Sequence, residues 1–518
     1  MFRPPQRFKR SIAAHQLLEY TFQRRTRADN LLHINPRHFA DPIDRPPGPT
    51  RGPCASRDFR LRRQTITING ADLVNSVTGD RFQIVGVAYQ PGGSSGYNPG
   101  SGVDPLSDKD VCLRDAALMQ RLGVNAIRVY NVDPNINHDA CASIFNAVGI
   151  YMILDVNSPL AGESIDRSAP WESYYAGYVN RTFAVVEAFK NYPNTMMFFS
   201  GNEVINDLPT GKTVPPYMRA ITRDLKNYVA KHCDRKIPVG YSAADVREIL
   251  LDTWNYLQCT TTGDTSDPSR VDVFALNSYS WCGESTFQTA QYDVLVSDFS
   301  KTSVPVYFSE YGCNVPYPRV FTEVPVLYGP LVTPVLSGGL VYEYTQETSN
   351  YGLVTLNSDG TADLLGDYDT LQKQFNTLNG TALQSMTAAN TTNSPPNCTA
   401  SLITNDGFNN NFTIPAVPPG VQDLIDNGID NAPVGKIIPV TATKVTQQVK
   451  QSNGDVIQGL AITPLPEDQS NNPGGATTTT SAPPSATTTK NSAAVNIRAS
   501  ATLLVGVAAL VVGCTSLF

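Results

Sequence analysis

The sequence predicts an α/β protein whose main domain is a (β/α)₈ TIM barrel. Short apolar runs recur eight times between residues 64 and 400, and helix-like segments occupy the gaps between them. Most runs are continuous rather than alternating, as is typical of parallel strands covered on both faces. Eight strand-then-helix units close into a barrel, and such barrels carry their functional groups at the carboxyl ends of the strands.

The predicted strands are Phe82–Ala88, Asn125–Tyr130, Tyr151–Asp155, Met196–Ser200, Ile237–Tyr241, Val271–Asn277, Val304–Ser309 and Gly339–Tyr344. The clearest predicted helices are Val111–Leu122, His138–Val148, Tyr174–Lys190 and Pro216–Lys231.

Length and charge set the remaining organisation. A chain of 518 residues exceeds the ~250 that a barrel uses, so appendages are expected. Residues 1–63 hold 14 Lys and Arg against 5 Asp and Glu, and subtraction from the totals of 39 and 46 leaves 25 against 41, about −16, for residues 64–518. An acidic body argues against nucleic acid as a partner, because phosphate binding needs a positive field.

The cysteines and asparagines indicate a secreted protein. The 9 cysteines form no CxxC motif, and no HxxxH occurs, so no metal site is predicted. Asn-x-Ser/Thr glycosylation motifs begin at Asn180, Asn379, Asn390, Asn397 and Asn411. Their clustering fits an oxidising compartment in which cysteines form disulfides.

The C-terminal region resembles a signal for a glycosylphosphatidylinositol (GPI) anchor. Residues 501–518 are apolar, a short polar spacer precedes them, and small residues begin at Asn491, the expected attachment point. A tail-anchor helix is the alternative. Residues 467–490 are rich in Thr and Pro and predict a disordered, O-glycosylated stalk, whereas residues 401–466 are expected to form a small appended segment.

The N-terminal region does not match this secretory pattern. Residues 1–63 contain no apolar stretch of signal-peptide length. We therefore expect a disordered basic segment that reflects an error in the gene model, with the true signal peptide missing. A genuine basic arm is the alternative.

Two carboxylates stand where a barrel places its chemistry. The fourth run ends MMFFSGNEV, which puts Asn202 and Glu203 just past the strand, and the seventh ends VYFSEYGC, which puts Glu310 at its end. Glycosidic-bond chemistry needs one protonated carboxyl group for the leaving oxygen and one ionised group at the anomeric carbon. Two solvated surface carboxylates are the alternative.

Nine motifs together resemble a known family. They are GVAYQ at 86–90, DPLSD at 104–108, NAIRVYNV at 125–132, FFSGNEV ending at 204, IPVGYSAAD at 237–245, ALNSYSWCG at 275–283, FSEYGCN at 308–314, RVFTEV at 319–324 and SGGLVYEY at 337–344. The sequence from about residue 65 to 400 is similar to the fungal β-1,3-glucanosyltransferases of glycoside hydrolase family 72.

This resemblance implies a retaining transglycosylase without a cofactor. Glu203 would be the acid/base and Glu310 the nucleophile, with β-1,3-glucan as donor and acceptor. The implied donor-site contacts are Tyr89, Asn202, Asp245, Arg247, Tyr279 and Tyr342. Trp281 offers a further stacking face, and core packing is the alternative for both Trp281 and Tyr342.

The family pattern also implies the pairing of six cysteines. The pairs are Cys112–Cys141, Cys259–Cys398 and Cys282–Cys313, which leaves Cys54 and Cys233 unassigned and Cys514 within the anchor signal. Only Cys398 lies between residue 314 and the tail, so the cysteine-rich carbohydrate-binding module of some members is expected to be absent.

Two other functions remain open from sequence. A hydrolytic β-1,3-glucanase would use the same fold and glutamates, and a non-catalytic wall mannoprotein would only bind glucan. The expected protein is a monomer held by a GPI anchor at the outer face of the plasma membrane, at the cell wall.

Overall fold

A barrel of eight parallel strands forms the centre of the protein. The computed structural model describes residues 63–93 and 97–474. Its strands are β1 (Ile66–Asn69), β2 (Asp72–Asn75), β3 (Asp80–Arg81), β4 (Ile84–Ala88), β5 (Ala126–Val129), β6 (Tyr151–Asp155), β7 (Thr195–Asn202), β8 (Val239–Ala244), β9 (Val273–Asn277), β10 (Val306–Tyr311), β11 (Leu336–Val341), β12 (Val354–Leu356), β13 (Ala362–Leu364), β14 (Met386–Thr387) and β15 (Val449–Lys450).

Strands β4 to β11 pair in chain order, and β11 closes the ring on β4. This confirms the predicted (β/α)₈ class. The eight predicted runs correspond to these strands, with ends displaced by up to three residues. The largest shift is in β11, which begins at Leu336 rather than Gly339. Gly338 has φ +83°, and a Cβ there would lie 2.1 Å from the Ile84 carbonyl oxygen, so only glycine lets β11 approach β4.

Helices surround the barrel. They are α1 (Lys109–Leu122), α2 (Asp139–Ala147), α3 (Pro170–Ser173), α4 (Ala176–Phe189), α5 (Leu208–Thr213), α6 (Pro215–His232), α7 (Leu250–Gln258), α8 (Tyr292–Phe299), α9 (Val324–Leu327), α10 (Gly366–Phe375), α11 (Gly380–Gln384) and α12 (Val421–Asn427), with a 3₁₀ turn at Ala400–Leu402. Helix α1 shows how local sequence sets the ends. Asp108 caps its first amides through the side chain, and Gly123 ends it in the left-handed region.

The inside of the barrel is apolar in its middle and polar towards the carboxyl ends of the strands. Side chains of a strand alternate between its faces, so Ala126 and Arg128 of β5 share the interior face with Tyr130, which directly follows the strand. The apolar interior cluster includes Ile84, Ala126, Ile153, Met197, Phe199, Ala275, Tyr307 and Leu340. Towards the carboxyl ends the same faces carry Arg128, Asp155 and Asn277, which are buried polar groups.

Residues 401–466 are not a separate module. Phe412 stacks on Tyr256 with ring centroids 4.6 Å apart, and Phe408 is 3% exposed. Helix α12 buries Val421 and Ile425, and β15 pairs with β13 of the barrel domain. The segment is therefore part of the domain's outer layer.

The predicted start of the stalk is wrong for residues 467–474, which lie on the barrel. The Asn471 side chain donates to the Val124 carbonyl at 2.9 Å, and its backbone N–H donates to the Gly149 carbonyl at 3.1 Å. These carbonyls precede β5 and β6. The Gln64 N–H donates to the Glu467 carbonyl at 3.2 Å, so both ends of the described chain meet at this end of the barrel. The hydrogen bonds of Asn471 thus hold residues 467–474 on the barrel, although their composition is typical of linkers.

Three disulfides join the pairs that the resemblance implied. Cys112–Cys141 links α1 to α2, Cys259–Cys398 links the end of α7 to the chain before the 3₁₀ turn, and Cys282–Cys313 links the loops after β9 and β10. In the described chain Cys233 is unpaired and half-buried. The five glycosylation asparagines are all exposed.

The predictions for Cys54, Cys514 and Asn491, for residues 1–62 and for the stalk from residue 475 onward concern residues outside those that the structure describes. Within the described ranges, no helix combines the length and the apolar character needed to cross a bilayer.

We expect Phe408→Ala to lower the free energy of unfolding by about 3 kcal/mol, because it removes a buried ring that the barrel cannot refill. Denaturant unfolding with the disulfides intact would measure the change. Val434→Ala, at a side chain 64% exposed in the same segment, is the control and should stay within about 0.5 kcal/mol of the unmodified protein. Equal stability of all three proteins would contradict the packing role of this segment.

Candidate active site

The two glutamates of interest lie at the carboxyl end of the barrel. Glu203 directly follows β7, as predicted, and Glu310 is the second-last residue of β10. Glu203 has φ 48°, a costly conformation for a residue with a side chain. Its backbone N–H donates to the Ser242 carbonyl at 2.8 Å, which helps hold this turn. Strained backbone held in this way is typical of functional positions.

Three donors surround the Glu310 carboxylate. Its Oε1 accepts from an Arg128 terminal nitrogen at 3.1 Å and from the Tyr130 hydroxyl at 2.9 Å, and its Oε2 accepts from the Tyr279 hydroxyl at 2.6 Å. Burial raises the pKa of Glu310 to about 7; Arg128 and the two tyrosines act to lower this pKa, and the charge of Glu203 acts to raise it. All three hydrogen bonds favour the ionised form, which is the form of a nucleophile.

Glu203 has a different setting. Its Oε1 accepts one hydrogen bond, from the Asn277 amide at 3.0 Å, and the residue is half-buried. The Asn277 oxygen in turn accepts from the Ser309 hydroxyl at 2.8 Å and lies 3.0 Å from the Ser242 hydroxyl oxygen, which fixes the orientation of the amide. The Glu203 carboxyl group therefore meets the cleft with one side free of strong donors, as a proton donor requires.

Arg128 joins the two sides of the site. It lies fully inside the barrel, and its guanidinium forms a two-point ion pair with Asp155 at 3.1 and 2.9 Å. It also donates to Asn202 at 2.9 Å and reaches Asn277 at 3.4 Å. A buried charge is stable only when its donors are satisfied, so Arg128 fixes the positions of the groups around it.

Asn202, predicted as a substrate contact, lies within this network. Its side-chain oxygen accepts from Arg128, from Ser242 at 2.8 Å and from Asn277 at 3.0 Å. With the oxygen fully used, the amide nitrogen is the group left to donate to a ligand. A donor here suits a sugar hydroxyl beside the reacting carbon.

Tyr279 and Tyr342 form an aromatic wall beside Glu310. Their ring centroids lie 6.1 Å apart, and Tyr351 lies 5.6 Å from Tyr279 and 5.3 Å from Tyr342. All three side chains are half-buried, so part of each ring remains accessible. Such surfaces suit the faces of sugar rings.

Asp245 and Arg247 lie at the edge of the site as an ion pair. Ser278 donates to Asp245 at 2.7 Å, which ties the pair to the chain directly after β9. Neither residue has a hydrogen bond to Glu203 or Glu310 among the described contacts. Their assignment as substrate contacts stays a prediction.

The structure contradicts the assignment of Tyr89. This side chain is 0% exposed, and its hydroxyl donates to Asp115 of α1 at 2.9 Å. Because neighbouring residues of an extended chain face opposite ways, it is Gln90 that faces Tyr130, accepting from the Tyr130 N–H at 3.2 Å. Trp281 is likewise a core residue, 4% exposed with its indole N–H on Thr322.

Sequence reasoning missed Arg128, Tyr130, Asn277 and Gln90 as site residues. A signal for Arg128 was present, since an arginine inside an apolar strand must have a buried partner. Tyr130 follows two residues later on the same face. The roles of Asn277 and Gln90 depend on contacts between strands that sequence alone does not give.

The group of residues suits chemistry at an acetal carbon. One buried carboxylate is positioned to attack, one carboxyl group is positioned to move a proton, and an aromatic wall adjoins them. The described part of the chain contains no cluster of side chains suited to a metal ion.

Comparisons with known proteins agree with this geometry. The family model of glucanosyltransferases, glycoside hydrolase family 72, matches residues 56–379. The chain is 54% identical to 1,3-beta-glucanosyltransferase gel2 of Aspergillus fumigatus over 408 residues, 79% of this chain and 84% of the relative. It is 46% identical to the probable 1,3-beta-glucanosyltransferase GAS3 of Saccharomyces cerevisiae over 390 residues, 73% of this chain and 74% of the relative.

Among solved structures, the chain matches a mutant of Saccharomyces cerevisiae Gas2p in complex with laminaritetraose and laminaripentaose. The TM-score is 0.58 at 34% identity, over 69% of this chain and 75% of that one. A second Gas2 structure matches with a TM-score of 0.61 at 34% identity, over 70% and 78% of the two chains. The chain therefore belongs to the glucanosyltransferases of glycoside hydrolase family 72.

Proposed function

We propose that this enzyme is a retaining 1,3-beta-glucanosyltransferase that elongates β-1,3-glucan of the fungal cell wall. The observation that carries the proposal is the position of Glu310, whose carboxylate receives three donors beside a second glutamate held by Asn277. The family membership supports the same reaction.

The reaction proceeds in two displacements. Glu310 attacks the anomeric carbon at an internal β-1,3 bond of the donor, while Glu203 gives its proton to the departing glycosidic oxygen. The reducing-side fragment leaves, and the remaining chain is esterified to Glu310. The hydroxyl at the non-reducing end of a second glucan then loses its proton to Glu203 and attacks the same carbon, which releases Glu310. Two inversions give overall retention.

A hydrolase would use water in the second step. Two observations support transfer over hydrolysis. The relatives are glucanosyltransferases, and the aromatic wall of Tyr279, Tyr342 and Tyr351 offers surface to sugar rings rather than to water. A wall protein that only binds glucan would not need Glu310 to be desolvated and hydrogen-bonded by three donors.

The test is incubation with a reduced laminari-oligosaccharide. We expect products longer than the substrate, whereas products that are only shorter would indicate hydrolysis, and no products a binding protein. Glu310→Gln and Glu203→Gln should each lower transfer at least ~10³-fold without changing the fold. Glu203→Gln alone should retain turnover of a donor with an activated leaving group, which needs no proton. Near-normal transfer by either variant would disprove its role.

Removing one hydrogen-bond donor of Glu310 should change the pH dependence of the reaction. Tyr279→Phe removes a hydrogen bond that lowers the pKa of Glu310, so this pKa should rise further above its ordinary value. Because the nucleophile must be ionised, the acidic limb of the kcat/KM profile should move to higher pH, by about one unit.

This limb should be measured on an activated donor, whose leaving group needs no proton from Glu203. Tyr351→Phe is the matched control, since Tyr351 contacts the same rings but has no hydrogen bond to Glu310, and its acidic limb should stay in place. An unchanged limb in Tyr279→Phe would show that this hydroxyl does not control ionisation of Glu310.

We also propose that the enzyme acts as a monomer on the outer face of the plasma membrane, held by a GPI anchor at Asn491. The support is the apolar run of residues 501–518, the small residues before it and the Thr- and Pro-rich stretch upstream. The glycosylation motifs lie on exposed asparagines, as N-glycosylation in the secretory pathway requires.

Deleting residues 491–518 from an expressed and secreted protein should release active enzyme into the medium. Phosphatidylinositol-specific phospholipase C should release the full-length protein from membranes, because it cleaves a lipid anchor and leaves a membrane-spanning helix in place. Resistance to this lipase would support the tail-anchor alternative.

A further inference from the structure

A cavity lies close to the aromatic wall. It has a volume of about 540 Å³, within the range of ligand sites, and lies between the loops after β10 and β11. The first loop contributes Asn314 and Tyr317, the second contributes Gln346 and Asn350, and Asp367 of α10 completes the wall. Both loops follow strands at the carboxyl end of the barrel, the end that holds the glutamates.

Specific hydrogen bonds and a disulfide hold the two loops that form the cavity. Asn314 donates through its side chain to the carbonyls of Ser349 at 2.8 Å and Asn350 at 3.2 Å, which joins the two loops. The disulfide Cys282–Cys313 fixes the start of the first loop. These contacts tie the two walls of the cavity to each other and to the loop after β9.

Arg319 connects this cavity to the catalytic wall. Its guanidinium donates to the backbone carbonyls of Tyr342 at 2.8 Å and Tyr351 at 2.5 Å, and to the Asp367 carboxylate at 2.6 Å. Gly352, next to Tyr351, lines the cavity itself. The cavity and the aromatic wall beside Glu310 thus share one supporting residue.

The lining suits a neutral, hydroxyl-rich ligand. Arg319 balances the charge of Asp367, and the remaining polar lining consists of amides and a phenol. Asp367 is 2% exposed, and its Oδ1 has no hydrogen-bond partner among the described residues, so the wall contains an acceptor that lacks a donor. A hydroxyl group would supply one.

Tyr317 adds an apolar surface at this cavity. It is 68% exposed, and its neighbour Val315 is 64% exposed. Among the described residues, the exposed aromatic side chains are Tyr317, Trp171 and Tyr175. An aromatic ring facing solvent at a cavity lined by amides is the arrangement that binds a sugar ring by its face and its hydroxyl groups.

We propose that this cavity is a remote donor subsite that binds glucose units of the β-1,3-glucan chain beyond those held at Glu310. The assignment to the donor follows from position, because the cavity lies between the loops of the nucleophile strand β10 and its neighbour β11, and the nucleophile holds the donor. It rests on the proposed function. Binding energy gained far from the reacting bond would favour long donors over short ones.

The test compares donors of increasing length. The ratio of kcat/KM for a long to a short reduced laminari-oligosaccharide is measured for the unmodified enzyme, Tyr317→Ala, Tyr317→Phe and Tyr175→Ala. Tyr317→Ala should lower the ratio by about fivefold, because kcat/KM should fall for the long donor and stay unchanged for the short one. Tyr317→Phe keeps the ring and should preserve the ratio. Tyr175→Ala makes the same truncation on the loop after β6 and should also preserve it.

Activity on the short donor serves as the folding control for Tyr317→Ala. An unchanged ratio, an equal loss on all donors, or a loss that follows acceptor length instead would overturn the subsite. Failure of the unmodified enzyme to transfer at all would instead refute the proposed function, so the two failures are distinguishable.

Discussion

The buried guanidinium of Arg128 is the constraint on which the active site depends. A charge inside a barrel is costly unless every donor finds an acceptor, and here the acceptors are Asp155, Glu310, Asn202 and Asn277. These residues come from β6, β10, β7 and β9. One side chain on β5 thus links four other strands at the level where the chemistry takes place. Removing it would leave Asp155 and Glu310 as uncompensated carboxylates.

The two glutamates have different surroundings, and these suit the different roles proposed for them. Glu310 is 7% exposed and receives three hydrogen bonds, whereas Glu203 is half-buried and receives one from a neutral amide. Burial raises the pKa of Glu310, but its donors stabilise the ionised form against that effect. An ionised nucleophile beside a carboxyl group that can carry a proton is the combination that a retaining mechanism needs.

The sequence predicted what depends on local pattern. The eight strands, the four clearest helices and the positions of Glu203 and Glu310 at strand ends follow from apolar runs and from the barrel rule. Tyr89 was misassigned because the motif GVAYQ does not say which of its polar residues faces the cleft, and alternation along the chain selects Gln90. The interpretation of residues 467–474 as stalk was wrong because amino-acid composition does not reveal specific contacts such as the two hydrogen bonds that Asn471 donates. Contacts such as those of Asn277 with two serines require the barrel to be closed first.

The place where the two ends of the described chain meet determines which side of the barrel would face the membrane. Residues 467–474 lie against the carbonyls that precede β5 and β6, so the chain leaves the barrel at the pole opposite the catalytic mouth. Attachment at that pole through the Thr- and Pro-rich tether and the proposed lipid anchor would place the mouth on the side of the barrel away from the membrane. The enzyme would then face the polysaccharide layer with its cleft outward, and its reach into the wall would be set by tether length rather than by any movement of the barrel.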